Sequence, residues 1–254
     1  MSDKKFNIAI LIDGDNAQAK LLKQTIEEVS KYGKATIRRI YGDWTSNVMN
    51  SWKDLINQYS INPIQKFSYT TGKNSTDGAL IIDAMDILHS KSVQGFCIVS
   101  SDSDYTGLAK RIREEGLFVM GIGEKKTPEA FVKSCDIFTF TENISPKPKK
   151  VEKNIKKPER QEKDKTPKKI NKKSSLILSD NDYETISKAF EISINDNDVA
   201  YVSNVGANIR KIDPSFDTRS YGFYSLTKLF DNLDEFEIIK NEVGDLNHPL
   251  IKRV

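Results

Sequence analysis

From residue 6 to about residue 140 the chain alternates short apolar runs with stretches in which apolar residues recur every three or four positions. The runs read as strands near 6–12, 36–41, 62–68, 96–100, 117–122 and 137–140. The periodic stretches read as helices near 17–31, 46–59, 76–90, 105–115 and 128–134. Strand and helix in regular alternation predict an α/β domain whose parallel sheet is covered by helices on both faces. Gly33 and Gly116 fall where helices should stop, and Pro128 where a first turn should begin. After Leu176 the pattern changes: helices are expected over 182–190, 203–211 and 225–232, followed by strands over 236–240 and 250–254. Three helices and a hairpin in that order predict a small winged helix-turn-helix domain.

Between the two patterns the composition shifts. Residues 145–175 carry 13 Lys and Arg against four acidic residues, with Pro146, Pro148, Pro158 and Pro167 and almost no large apolar side chains. Such a tract reads as a disordered linker. The expected organisation is therefore a domain over 1–144, a linker over 145–175 and a second domain over 176–254. Charge follows the same division: 1–144 is balanced at 18 basic and 18 acidic residues, whereas 176–254 has eight basic and 14 acidic ones. The net charge of +3 thus hides a basic middle segment, which would raise local affinity for a polyanion or act as a solvated spacer. No apolar run reaches the roughly 20 residues needed to span a bilayer, and the start MSDKKF lacks a signal-peptide core, so a cytoplasmic location is expected. Cys97 and Cys135 show no metal or redox spacing and read as core thiols.

Three acidic features stand where the predicted elements would expose them. Asp13-Gly14-Asp15-Asn16 ends the first strand, Ser101-Asp102-Ser103-Asp104 ends the strand at 96–100, and Asp77 lies in the first turn of the helix at 76–90. Parallel α/β sheets place their sites at the carboxyl ends of strands. Carboxylates gathered there without a neutralising Lys repel one another, so such a cluster persists mainly when it binds a cation or a proton. Each feature also has a plain structural reading. Asp and Ser are good helix caps, Asp15 suits a turn, and Asp83 and Asp86 suit a solvated helix face. His89 and His248 read as surface residues, and Trp44 and Trp52 as packing residues.

Taken together, Asp13-Gly14-Asp15-Asn16, Asp77-Gly78-Ala79-Leu80-Ile81-Ile82-Asp83 and Ser101-Asp102-Ser103-Asp104-Tyr105 resemble the NYN domain, LabA-like branch, of the PIN-like nuclease superfamily. Gly121-Ile122-Gly123 and Lys133-Ser134-Cys135-Asp136 extend the resemblance across nearly all of 6–143. The C-terminal part is similar to an OST-HTH/LOTUS domain around Arg219-Ser220-Tyr221-Gly222-Phe223-Tyr224, a pairing familiar from bacteria. The resemblance implies a three-layer PIN-like α/β/α fold and a ribonuclease acting on RNA. Phosphodiester hydrolysis needs neutralised phosphate oxygens and hydroxide near neutral pH, which divalent metals on oxygen ligands provide. Asp13, Asp77, Asp102 and Asp104 would form the cage, with Asp13 and Asp102 as direct ligands and Asp77 and Asp104 serving a second ion or bound water. Asn16 would orient phosphate or water. With no His or Cys placed nearby, Mg²⁺ or Mn²⁺ is the expected metal.

Two other readings compete. A haloacid-dehalogenase-type phosphatase would use Asp13 as a phosphorylated nucleophile, although Ala17 stands where that chemistry expects a hydroxyl. A non-catalytic RNA-binding scaffold would retain the acidic pocket without turnover. For the second domain, Asn208, Arg210 and Lys211 with Arg219, Tyr221 and Lys228 form the expected RNA face, and Tyr221 the stacking ring. The same domain could instead dock protein, with Tyr221, Phe223 and Tyr224 filling its core.

Overall fold

The computed structural model of the chain describes residues 6–66, 75–146, 178–195, 197–243 and 246–254. The expected linker lies outside the described residues from position 147 onward, as does the end of the expected third strand. The first domain runs β1 (Asn7–Asp13), α1 (Leu22–Ser30), β2 (Lys34–Gly42), α2 (Lys53–Tyr59), β3 (Asn62–Gln65), α3 (Ser75–Ser90) and β4 (Gly95–Val99). It continues through α4 (Thr106–Glu114), β5 (Phe118–Gly123), α5 (Glu129–Ser134), β6 (Ile137–Phe140) and a short α6 (Thr141–Ile144). Short 3-10 turns at Ala19–Leu21, Asn47–Trp52 and Ser103–Tyr105 lead into α1, α2 and α4.

All six strands are parallel, in the order β3-β2-β1-β4-β5-β6. The chain builds outward from β1 through β2 and β3, then returns to the other side of β1 with β4. The carboxyl ends of β1 and β4 are therefore the switch point of the sheet, where neighbouring loops diverge and leave a crevice. Alternation along β1 sets which side chains face which layer. Ala9 and Leu11 join Tyr41, Leu80, Ala84, Ile98, Tyr105 and Phe131 on one face, whereas Ile8, Ile10 and Ile12 join Leu22, Val29, Trp52 and Ile122 on the other. Asp13 has the parity of Ala9 and Leu11, so its carboxyl emerges on the Leu80 and Tyr105 side.

The two helix-stop glycines act differently. Gly116 adopts a left-handed φ of 74°, as a helix terminus requires. At Gly33 the constraint is space, since a Cβ would lie 2.4 Å from the Phe6 carbonyl oxygen. The sheet edges are equally specific. Pro63 stands in the edge strand β3, a position where a missing N–H is tolerated. On the other edge the Phe138 N–H donates to the Pro214 carbonyl of the second domain at 2.9 Å. Both cysteines are buried and free.

The second domain comprises α7 (Asp180–Ser193), β7 (Val199–Tyr201), α8 (Val202–Ile212), a 3-10 turn at Thr218–Tyr221, α9 (Leu226–Phe230) and β8 (Phe236–Ile239). It ends with β9 (Glu242–Val243), β10 (Leu246–Asn247) and β11 (Leu250–Arg253). A capping box between Ser179 and Asp182 starts α7. The expected hairpin forms between β8 and β11, and β7, which periodicity did not reveal, adds a third strand against β11. Phe190, Phe230 and Phe236 pack edge to face at its centre. The two domains meet at an ion pair: Arg219 donates to both carboxylate oxygens of Glu28, at 3.0 and 2.8 Å. Asp217 holds the same guanidinium from behind, and Lys31 also donates to Glu28. Among the described residues no helix is long and apolar enough to cross a membrane.

Candidate metal centre

The crevice beyond β1 and β4 collects the acidic residues singled out in the sequence. Asp13 is the last residue of β1 and is fully buried. Its Oδ2 accepts from Asn16 Nδ2 at 2.8 Å and from Ser100 Oγ at 2.9 Å. Its Oδ1 is buried and has no hydrogen-bond partner among the described residues. Burial raises the Asp13 carboxyl above its ordinary 3.8, against the two hydrogen bonds that favour its charge.

Asp77, Asp102 and Asp104 each offer a carboxylate oxygen, and these oxygens lie within 4.8 Å of one another. Local geometry explains how they converge. After β4 the Asp102 N–H donates to Ser100 Oγ, and Asp102 then caps the 3-10 turn by accepting from the Asp104 N–H at 2.9 Å. The capping reading of Asp102 is thus correct and compatible with a second use, because capping occupies only Oδ1. Asp77 comes from the first turn of α3 and accepts from the Tyr105 hydroxyl at 2.7 Å. Tyr105 is itself fully buried, and its hydroxyl also stands beside Asp13. Burial raises the Asp77 carboxyl; Tyr105 opposes that rise, and the nearby charges of Asp13, Asp102 and Asp104 add to it.

Asn16, expected to face phosphate or water, uses its amide to hold Asp13. Ser100 and Tyr105 carry as much of the geometry as Asn16 and were not singled out by sequence. Their signal lay in position: one precedes and the other follows the Ser101–Asp104 acidic stretch. Asp83, read as a solvated face, instead meets Arg39 and the Tyr41 hydroxyl from β2. Trp52 is buried and donates to the Gly14 carbonyl, fixing the turn after β1.

In the second domain Arg210, Lys211 and Lys228 are exposed. Lys211 donates to Asn208, and Lys228 makes an exposed pair with Asp231. Arg219 is engaged by Glu28 and Asp217, which directs it at the first domain. Tyr221 packs on Phe216 with ring centroids 5.6 Å apart, whereas Tyr224 is 81% exposed.

Among solved structures, a protein of unknown function from Vibrio parahaemolyticus aligns at 19% identity, covering 54% of this chain and 94% of its own, with a TM-score of 0.46. The WlbA dehydrogenase from Bordetella pertussis, solved with NADH and UDP-GlcNAcA, aligns at 15% identity over 54% of this chain and 33% of its own, with a TM-score of 0.30. Neither likeness bears on function. No curated protein matches the chain. The family models are more telling, since one spans the whole six-stranded domain and the other the winged-helix region. Residues 7–143 match the NYN domain and residues 173–248 the OST-HTH/LOTUS domain, so the chain belongs to the NYN domain family and carries an OST-HTH/LOTUS domain after it.

Proposed function

We propose that the chain is a metal-dependent ribonuclease that hydrolyses RNA phosphodiester bonds at Asp13, Asp77, Asp102 and Asp104, its second domain recruiting the RNA. The observation that carries this reading is the convergence of three carboxylates beside a fourth whose inner oxygen is buried and has no hydrogen-bond partner among the described residues. An all-oxygen donor set of this kind fits Mg²⁺ or Mn²⁺ and offers nothing to a softer ion. When bound, the cation supplies positive charge at the scissile phosphate and lowers the pKa of water. Asp77, Asp102 and Asp104 would hold it, with the inner oxygen of Asp13 as a further ligand. Asn16 and Ser100 fix one oxygen of Asp13 and so aim the other into the crevice, while Tyr105 fixes Asp77. Arg210, Lys211 and Lys228 would contact phosphates, and the basic tract over 145–175 would add counterion release.

Labelled single-stranded RNA, incubated with the full chain and Mn²⁺, Mg²⁺ or EDTA, tests the reading. Cleavage with either metal and none with EDTA is the expected result. Turnover of a chromogenic phosphate ester with intact RNA would instead favour the phosphatase reading.

Tyr105→Phe keeps the ring and removes only the hydroxyl. Outer residues that orient metal ligands typically contribute 10–100-fold in affinity, so the variant should bind Mn²⁺ about tenfold more weakly by calorimetry. Unchanged affinity would return Tyr105 to a packing role.

A further inference from the structure

A cleft lies between the two domains, walled by Lys31 and Tyr32 from the end of α1 and by Arg210, Tyr224 and Leu226 from the second domain. Its charged groups are Glu28, Lys31, Arg210, Asp217 and Arg219. Arg219 and Lys31 engage both carboxylates. One cation is left over. Arg210 is exposed and makes no ion pair among the described residues, and it stands close enough to Tyr32 to act on its hydroxyl. The ring of Tyr224, 81% exposed, lines the same cleft, whereas the other aromatic rings of this domain except Tyr201 pack into or against its core.

An exposed ring beside an uncompensated guanidinium matches the two parts of a nucleotide, a stackable base and a phosphate. We propose that this cleft binds one nucleotide of single-stranded RNA, the base stacked on Tyr224 and the phosphate paired with Arg210. The proposal rests on RNA as the substrate class. The cleft is not the cleavage crevice. Tyr32 lies just before β2, at the amino ends of the strands, whereas the acidic cluster lies at their carboxyl ends. The seven residues of β1, at roughly 3.3 Å each, set the separation at about 20 Å. The cleft is therefore an anchor for RNA long enough to reach the crevice, and the Glu28–Arg219 pair joins its walls.

The test uses the full chain in EDTA with fluorescein-labelled oligouridylates of two lengths, one able to span both sites and one too short. Tyr224→Ala should weaken binding of the long RNA by about tenfold, within the range for loss of one base stack. Arg210→Ala should reduce the slope of log affinity against log salt by about 0.7, one single-strand phosphate contact. Tyr201→Ala, at an exposed ring elsewhere in the same domain, should leave binding unchanged. Wild-type affinity for the long RNA in Tyr224→Ala would overturn the proposal, as would a full chain that binds no RNA. RNA bound through Tyr224 in EDTA but not cut when Mn²⁺ or Mg²⁺ replaces the EDTA would sink the nuclease reading and leave the anchor standing.

Discussion

Asp13→Asn should reduce metal-dependent RNA cleavage by at least about 100-fold and, in metal-free buffer at neutral pH, should melt at a higher temperature than the wild type. Both effects have one cause. The Asp13 carboxyl is buried, one oxygen has no partner among the described residues, and its pKa is raised from 3.8. Folding thus favours its protonated form, so the ionised group subtracts stability once the pH exceeds its unfolded value. An amide retains the shape and removes the charge. The expected gain is about 1–3 kcal/mol, the range for an unsatisfied buried polar group, and it should shrink as the pH falls through the raised folded value toward 3.8. Adding Mn²⁺ should raise the wild-type melting temperature and leave the variant nearly unmoved. Undiminished cleavage by Asp13→Asn would remove Asp13 from the site.

Arg219→Ala should destabilise the docked arrangement by about 2–3 kcal/mol, and more than Glu28→Gln does. The asymmetry follows from burial. Glu28 is 4% exposed, so losing Arg219 leaves a buried carboxylate with Lys31 alone, whereas Arg219 is 30% exposed and keeps Asp217. Burial raises the Glu28 carboxyl, yet Arg219 and Lys31 outweigh it and hold the group below 4.5. Its contribution is therefore complete above 4.5 and is lost as the pH falls through the lowered folded value. Acid should loosen the wild-type domain contact, and Arg219→Ala should lack most of that dependence. Calorimetric unfolding against pH, with a double-mutant cycle over the pair, checks both statements. Equal effects of the two substitutions at neutral pH would show that the contact is not buried in solution.

Local pattern made the sheet legible. Runs such as Phe96–Val99 are too apolar and too short to be surface helices, and Asp13 and Asp102 could be assigned to strand ends because the runs stop there abruptly. Asp77 was legible through its place in a first helical turn. What escaped were relations between distant segments. The partner of Arg219 is 191 positions away, so nothing around it in sequence distinguished a domain contact from an RNA contact. Asp83 has no local cation, and its partners come from β2. Tyr221 packs against Phe216 while Tyr224 faces outward, because Gly222, with φ 85°, turns the chain between them, and ring spacing then no longer reports which side faces the core. The strand β7 has only three residues, too few for alternation to register.

The edges of the six-stranded sheet bear on how the protein avoids joining its own copies. An open edge offers a row of donors and acceptors to any passing strand, and self-association begins there. On β3 a proline replaces one donor, and on β6 the Phe138 donor is capped by the Pro214 carbonyl. The second domain thereby shields part of the β6 edge of the first. A fragment ending after residue 144 would lose that shield, and it should aggregate at concentrations where the full chain stays dispersed.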